Sequence, residues 1–119
     1  MNASKLKVVP KPWGKEIWFA RAKKYVGKIL IIKKGKRLSR QYHKVKHETL
    51  YTDQGRYVLE LGAKGAEKKV MKQGDVFVVK PRTIHRMHAK YCDVKIIEVS
   101  TPELWDVVRL QDDYGRSGK

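Results

Sequence analysis

"SRQYHKVKHET" (residues 39–49) sets a glutamine, two histidines and a glutamate within a few positions of one another, among lysines and an arginine. Read as an extended strand, "RQYHK" puts Gln41 and His43 on one face and Arg40, Tyr42 and Lys44 on the other. A turn over 44–47 with a strand resuming at Glu48 lines up Glu48, Leu50 and Thr52 on one face. Gln41, His43 and Glu48 then converge inside a barrel and leave the basic residues outside. Read as a helix, the stretch would pair His43 with His47 one turn apart, but "KVKHETLYTD" offers no apolar stripe to bury. The strand–turn–strand reading therefore decides the segment.

The flanking sequence extends the same pattern. "YVGKILIIKK" (25–34), "GRYVLELG" (55–62), "KKVMK" (68–72), "GDVFVVKP" (74–81) and "CDVKIIEVS" (92–100) are short β-branched, apolar runs bounded by Gly, Pro or Asp. Their spacing predicts an all-β sandwich or barrel. No segment before residue 100 carries a helical period, while "TPELWDVVRLQ" (101–111) starts a short helix or runs on as an extended tail. With no repeat, linker or low-complexity tract, the chain reads as one domain over 1–119, its C-terminal tail beginning at about 101.

The chain has 119 residues, 41% of them hydrophobic and 34% charged, enough for one core under a heavily ionised surface. Lys and Arg total 28 against 12 Asp and Glu, a net charge of +16. That charge suits solubility, or attraction of a small anion such as a sugar phosphate. It would also suit nucleic acid, but the lysines are dispersed, no aromatic platform is interleaved with them, and no helix-turn-helix or zinc-finger spacing occurs, so nucleic acid is not the expected partner. The one cysteine, Cys92, has no internal partner for a disulfide. "MNASKLKVVP" lacks the apolar run of a signal peptide and nothing downstream reads as a membrane span, so the expectation is a cytoplasmic protein with no membrane partner.

A second block, "QGDVFVVKPRTIHRM" (73–87), opens on a Gly-Asp turn, runs an apolar strand, turns near Pro81 and re-enters a strand carrying His85. Together the two blocks resemble the paired motifs of the cupin superfamily. The first motif spans 35–55: Gly35, five residues, Gln41-Tyr42-His43, four residues, Glu48, six residues, Gly55, with glutamine where the first histidine stands. The second spans 74–88: Gly74, five residues, Lys80-Pro81-Arg82, two residues and His85, with Lys80 in the proline position and Arg82 in the glycine position. "LSRQYHKVKHE" is similar to the "LSxQxHxxRxE" pattern of the cupin domain in mannose-6-phosphate isomerases and in bifunctional guanylyltransferase/isomerase enzymes. "KPWGKEIWF" (11–19), "TIHRM" and "EVSTPELWDVVRLQDDYGR" (98–116) point to the same group.

The resemblance implies a single-domain cupin, a small jelly-roll β-barrel, with one divalent metal ion on Gln41, His43, Glu48 and His85. Zinc is expected first, and manganese, iron or nickel would also suit two imidazoles, a carboxylate and an amide oxygen. The implied function is metal-dependent isomerisation of a sugar phosphate, an aldose to a ketose, with Glu48 and Arg116 as catalytic residues and Arg40, Lys80, Arg82 and Arg116 holding the phosphate. The alternative is a non-catalytic cupin that binds a carbohydrate or small anion. His47 and His88 read as structural, His88 facing away from His85. Trp13, Trp18 and Trp105 read as packing residues, "KKGK" and "AEKK" as solvated turns and edges, and Asp112 and Asp113 as surface partners of Arg109 and Arg116. A homodimer is expected, joined through an edge supplied by "ILIIKK" or the N-terminal segment.

Overall fold

The computed structural model describes residues 6–116, and every regular element among them is a β-strand. Strands β1 (Lys7–Lys11), β2 (Gly14–Arg21), β3 (Val26–Ile32), β10 (Val94–Ser100), β5 (Glu48–Gln54) and β8 (Val76–Val79) form one antiparallel sheet in that spatial order. Strands β11 (Val107–Gln111), β4 (Arg40–His43), β9 (His85–His88), β6 (Arg56–Leu61) and β7 (Glu67–Lys72) form the second. The sheets pack face to face as a jelly roll. Their shared core includes Trp13, Leu30, Ile32, Leu50, Tyr57, Leu59, Met87 and Ile96, all buried.

Alternation accounts for the core. On β3, Lys28, Leu30 and Ile32 face inward, and on β10 so do Val94, Ile96, Glu98 and Ser100. The opposite parity is not polar. Val8, Ile17, Ile29, Ile97, Tyr51 and Val76 are cross-strand partners in one row over the outer face of the six-stranded sheet. The outer face of the other sheet is charged, with Arg40 against Glu60 and Arg86 against Asp113.

Two expectations are changed or narrowed. "TPELWDVVRLQ" makes no helix: a turn leads into β11, which pairs with β4. The "ILIIKK" segment offers no free edge, because β3 lies between β2 and β10. The N-terminal segment does form an edge, where Pro10 is tolerated because an edge strand has one unpaired side. No helix of the described residues is long and apolar enough to cross a membrane.

One backbone feature bears on the site. Arg82, in the glycine position of the second motif, has φ 66°, so the turn keeps its left-handed residue at a cost of about 1–2 kcal/mol for a side chain with a Cβ. Its N–H donates to the carbonyl of His43 at 2.6 Å, tying the turn to the end of β4.

Candidate functional site

At one end of the barrel the inward parity turns from apolar to ionisable. Lys28 lies in the first half of β3, Glu98 in the second half of β10, Glu48 opens β5, His43 ends β4 and His85 begins β9. His43, Glu48 and His85 are all nearly excluded from solvent. His43 Nδ1 lies 3.6 Å from Glu48 Oε1 and His85 Nε2 lies 4.0 Å from Glu48 Oε2. The two rings are 5.8 Å apart. His85 Nδ1 is 2.9 Å from the Thr83 carbonyl, which can only accept, so Nδ1 carries the proton and the Nε2 lone pair faces the pocket. His43 Nδ1, His85 Nε2 and Glu48 Oε1 have no hydrogen-bond partner.

The sequence gives no role to Lys46, yet it stands at the centre of this group. Its Nζ is 3.3 Å from Glu48 Oε1 and 3.3 Å from Glu98 Oε2, and its side chain is only 6% exposed. The 44–47 turn is held by Asp106, whose carboxylate accepts the backbone N–H groups of Lys44 (3.1 Å), Val45 (2.7 Å) and Lys46 (2.9 Å). Gln41 lines the pocket, but its Oε1 accepts from Ser39 Oγ at 2.6 Å.

The donor chemistry suits a divalent ion: two neutral imidazoles and a carboxylate with unsatisfied lone pairs. The arrangement does not. Among the described residues no three histidine, cysteine or carboxylate side chains close around a metal position. Gln41 is engaged elsewhere, and an ammonium already sits on Glu48. Gln41, His43 and Glu48 thus line one pocket, with His85 beside Glu48, without forming a coordination sphere.

Burial pushes His43 down to about 3, with Lys46 and His85 adding to the shift. Burial also lowers His85. Lys46 would be lowered by burial, but Glu98 and Glu48 hold it above the ordinary lysine range. Glu48 is raised by burial and by Glu98, because one ammonium cannot balance two carboxylates in a dry pocket. Burial raises the Asp106 carboxyl, and three backbone donors more than reverse this. The Arg116 hydrogen bonds draw Asp112 to about 2.

These shifts set an acid limit. An imidazole that titrates near 3 when folded and near 6.5 when unfolded lets the unfolded chain take the proton first, so stability falls as pH drops through that window. Depressed Asp106 and Asp112 act the same way at lower pH, whereas raised Glu48 opposes them above its ordinary value of 4.5. Urea midpoints of metal-free protein should therefore fall steeply between about pH 4.5 and 3, and less steeply for His43→Gln. A flat profile in the parent would contradict the buried neutral imidazoles.

The pocket above this floor has a volume of about 340 Å³. Lys7, Lys11, Lys28, Lys46, Arg109 and Arg116 line it, against the carboxylates of Glu16, Glu48 and Glu98. Burial lowers Lys11, and Lys28, Arg109 and Arg116 lower it further. Arg109, also lowered by burial and by Arg116, leaves its Nε buried without a partner. Arg116 is held by Asp112 through its backbone N–H and its guanidinium at 2.8–2.9 Å.

Of the four residues expected to hold phosphate, only Arg116 lines this pocket. Arg40 points to the other side of its sheet, buried against Glu60 at 2.7 Å and Gln111 at 2.6 Å. Lys80 and Arg82 are exposed on the turn after β8 and do not line the pocket. Trp13 is core as expected, while Trp18 lies in the pocket wall and donates to Glu16, with Lys7, Lys28 and Arg21 over its ring. Trp105 is 76% exposed and packs into no core. Asp113 pairs with Arg37 and Arg86 rather than Arg109 or Arg116. Glu16, Lys28 and Glu98 had one legible signal, a charge in the inward parity of an otherwise apolar strand.

A two-sheet antiparallel barrel with an ionisable cavity at one end defines the class: a small jelly-roll barrel domain. A family model described as the cupin domain matches residues 28–99, and the chain belongs to that family, whose members often bind a metal ion. Among solved structures, KdgF from Halomonas sp. is 23% identical with a TM-score of 0.71, over 84% of this chain and 87% of that one. The capsular polysaccharide assembling protein CapF from Staphylococcus aureus is 16% identical with a TM-score of 0.76, over 92% of this chain and 33% of that one. Oxalate decarboxylase from Lactobacillus farciminis is 19% identical with a TM-score of 0.73, over 88% of this chain and 33% of that one. This chain thus spans a third of the latter two, and the likeness to all three is one of fold. None of the curated proteins compared matches it.

Proposed function

We infer that the barrel binds a small anionic sugar, one carrying a phosphate or a carboxylate. The observation that supports this is the crowding of Lys11, Arg109 and Arg116 at one pocket, where the two guanidinium groups help to lower Lys11, Arg116 helps to lower Arg109, and the Arg109 Nε has no partner. An anion there relieves the repulsion and accepts from the guanidinium groups. Glu16, Glu98 and Gln41 line the same space and can accept or donate to sugar hydroxyls. The fold likeness to a capsular polysaccharide assembling protein supports the sugar class.

Titration calorimetry with mannose 6-phosphate, fructose 6-phosphate, mannose and inorganic phosphate tests the reading. The phosphorylated sugars should bind, neutral mannose should not, and Lys11→Gln and Arg116→Gln should each weaken binding about tenfold, or about 1.4 kcal/mol. Equal binding of mannose and its phosphate would sink it.

Aldose–ketose isomerisation is a second reading, favoured by Glu48. A buried carboxyl that keeps its proton unusually tightly, at the floor of a sugar-sized pocket, is suited to moving a proton between adjacent carbons. Interconversion of the two hexose phosphates that Glu48→Gln abolishes would establish this reading, and binding without turnover would leave the first.

A further inference from the structure

The barrel floor holds the donors of a metal site and a cation that is not a metal. Lys46 Nζ lies 3.3 Å from the same Glu48 oxygen that His43 Nδ1 faces at 3.6 Å. Its other carboxylate, Glu98 Oε2, is also 3.3 Å away and accepts a hydrogen bond from it. The three ionisable side chains are 6%, 1% and 7% exposed, so water does little to screen them. The ammonium is held from behind as well, since the Lys46 backbone N–H is fixed on Asp106. A dication at Glu48 would therefore meet a buried positive charge whose backbone is fixed in place.

We propose that Lys46 is the resident cation of this pocket and competes with divalent metals for Glu48. His43, Glu48 and His85 form a latent metal site that opens when the Lys46 charge is removed. Without Lys46, Glu48 and Glu98 are two buried carboxylates lacking a counter-charge, and His43 and His85 present unpartnered nitrogens beside them. That set favours binding of a divalent ion. The inference rests on the pocket floor alone and is independent of which sugar the pocket takes.

The test is calorimetric titration of nickel and zinc ions into metal-stripped parent, Lys46→Met and Lys46→Arg, with thermal unfolding of each in the presence of metal or chelator. Lys46→Met should bind metal at least tenfold tighter than the parent and gain a larger rise in unfolding temperature from it. Lys46→Arg, which keeps the charge, should behave as the parent does. Adding His85→Ala to Lys46→Met should abolish the gain. If Lys46→Met binds metal no tighter than the parent, or the gain survives His85→Ala, the proposal is overturned. Should Lys46→Met fail to fold, Lys46→Gln carries the same comparison, because it removes the charge and keeps a polar donor. Sugar binding by the parent in chelator is measured separately, so its failure would not be mistaken for failure of this proposal.

Discussion

Asp106→Ala is expected to lose about 2–4 kcal/mol of stability, because one carboxylate accepts three backbone N–H groups and charge-assisted hydrogen bonds are worth about 1.5–3 kcal/mol each before neighbours and water compensate. The Lys46 N–H is buried, so its donor would be left unmade, while the Lys44 and Val45 donors can turn to solvent. The loss reaches the pocket through the backbone. Residues 44–47 join the strand that carries His43 to the strand that carries Glu48, and they position Lys46 between its two carboxylates. Asp106→Asn keeps one acceptor oxygen and should fall between parent and alanine. Urea unfolding gives the stability and calorimetry with the phosphorylated sugar gives the pocket. Parental stability and affinity in Asp106→Ala would show that the turn holds without this carboxylate.

The second large effect lies on the opposite face of the same strand. Arg40 is 5% exposed and pairs with Glu60, which is 6% exposed. Gly65 seals the pair: a Cβ there would sit 2.6 Å from Glu60 Oε1 and 2.7 Å from Arg40 Nη1. Glu60→Leu therefore strands a buried guanidinium with Gln111 as its remaining partner, at a cost of about 3–5 kcal/mol. At roughly 4 °C per kcal/mol for a domain of this size, the unfolding midpoint should fall by about 12–20 °C. The double substitution Arg40→Met/Glu60→Leu should recover most of that, since an apolar pair of similar volume carries no desolvation cost. A single variant that loses less than about 1 kcal/mol would mean water reaches Arg40.

The contrast between His43 and Arg40 shows what the sequence could and could not reveal. Strand parity correctly separated Gln41 and His43 from Arg40 and Tyr42, and it aligned Glu48 with Leu50 and Thr52. It could not show that Arg40, though outside the barrel, is buried, because the covering comes from Gly65 in a distant turn. Nor could it place Lys46, a turn residue without parity whose side chain folds back under the strands because Asp106 fixes its backbone from sixty positions away. The apolar runs read from the sequence begin at residue 25 and leave out β1 and β2, where Pro10, Pro12 and Gly14 interrupt the alternation. Here they are harmless in an edge strand and its hairpin turn, where a Cβ on Gly14 would collide with the Ile31 carbonyl oxygen. The strand in "VVRLQ" looked helical or loose because neither face of this edge strand is fully buried, which leaves little alternation. "ILIIKK" invited an edge reading because both its faces are apolar, whereas it is central and its outer face belongs to the six-strand row.

The position of β10 carries a consequence for how the molecule comes into being on the ribosome. It fills the gap between β3 and β5, so neither strand has both its neighbours until residues 94–100 have been synthesised and released from the exit tunnel. The hairpins made by β1–β2–β3 and by β6–β7 can close early from adjacent sequence, but the six-stranded sheet waits for a late arrival, and long-range pairing of this kind is slow. During that wait the inward faces of β3 and β5 stand open beside an outer row that is apolar as well. The nascent chain therefore exposes the most apolar surface just before its last strands appear, and its net charge of +16 opposes association of neighbouring copies in the interval.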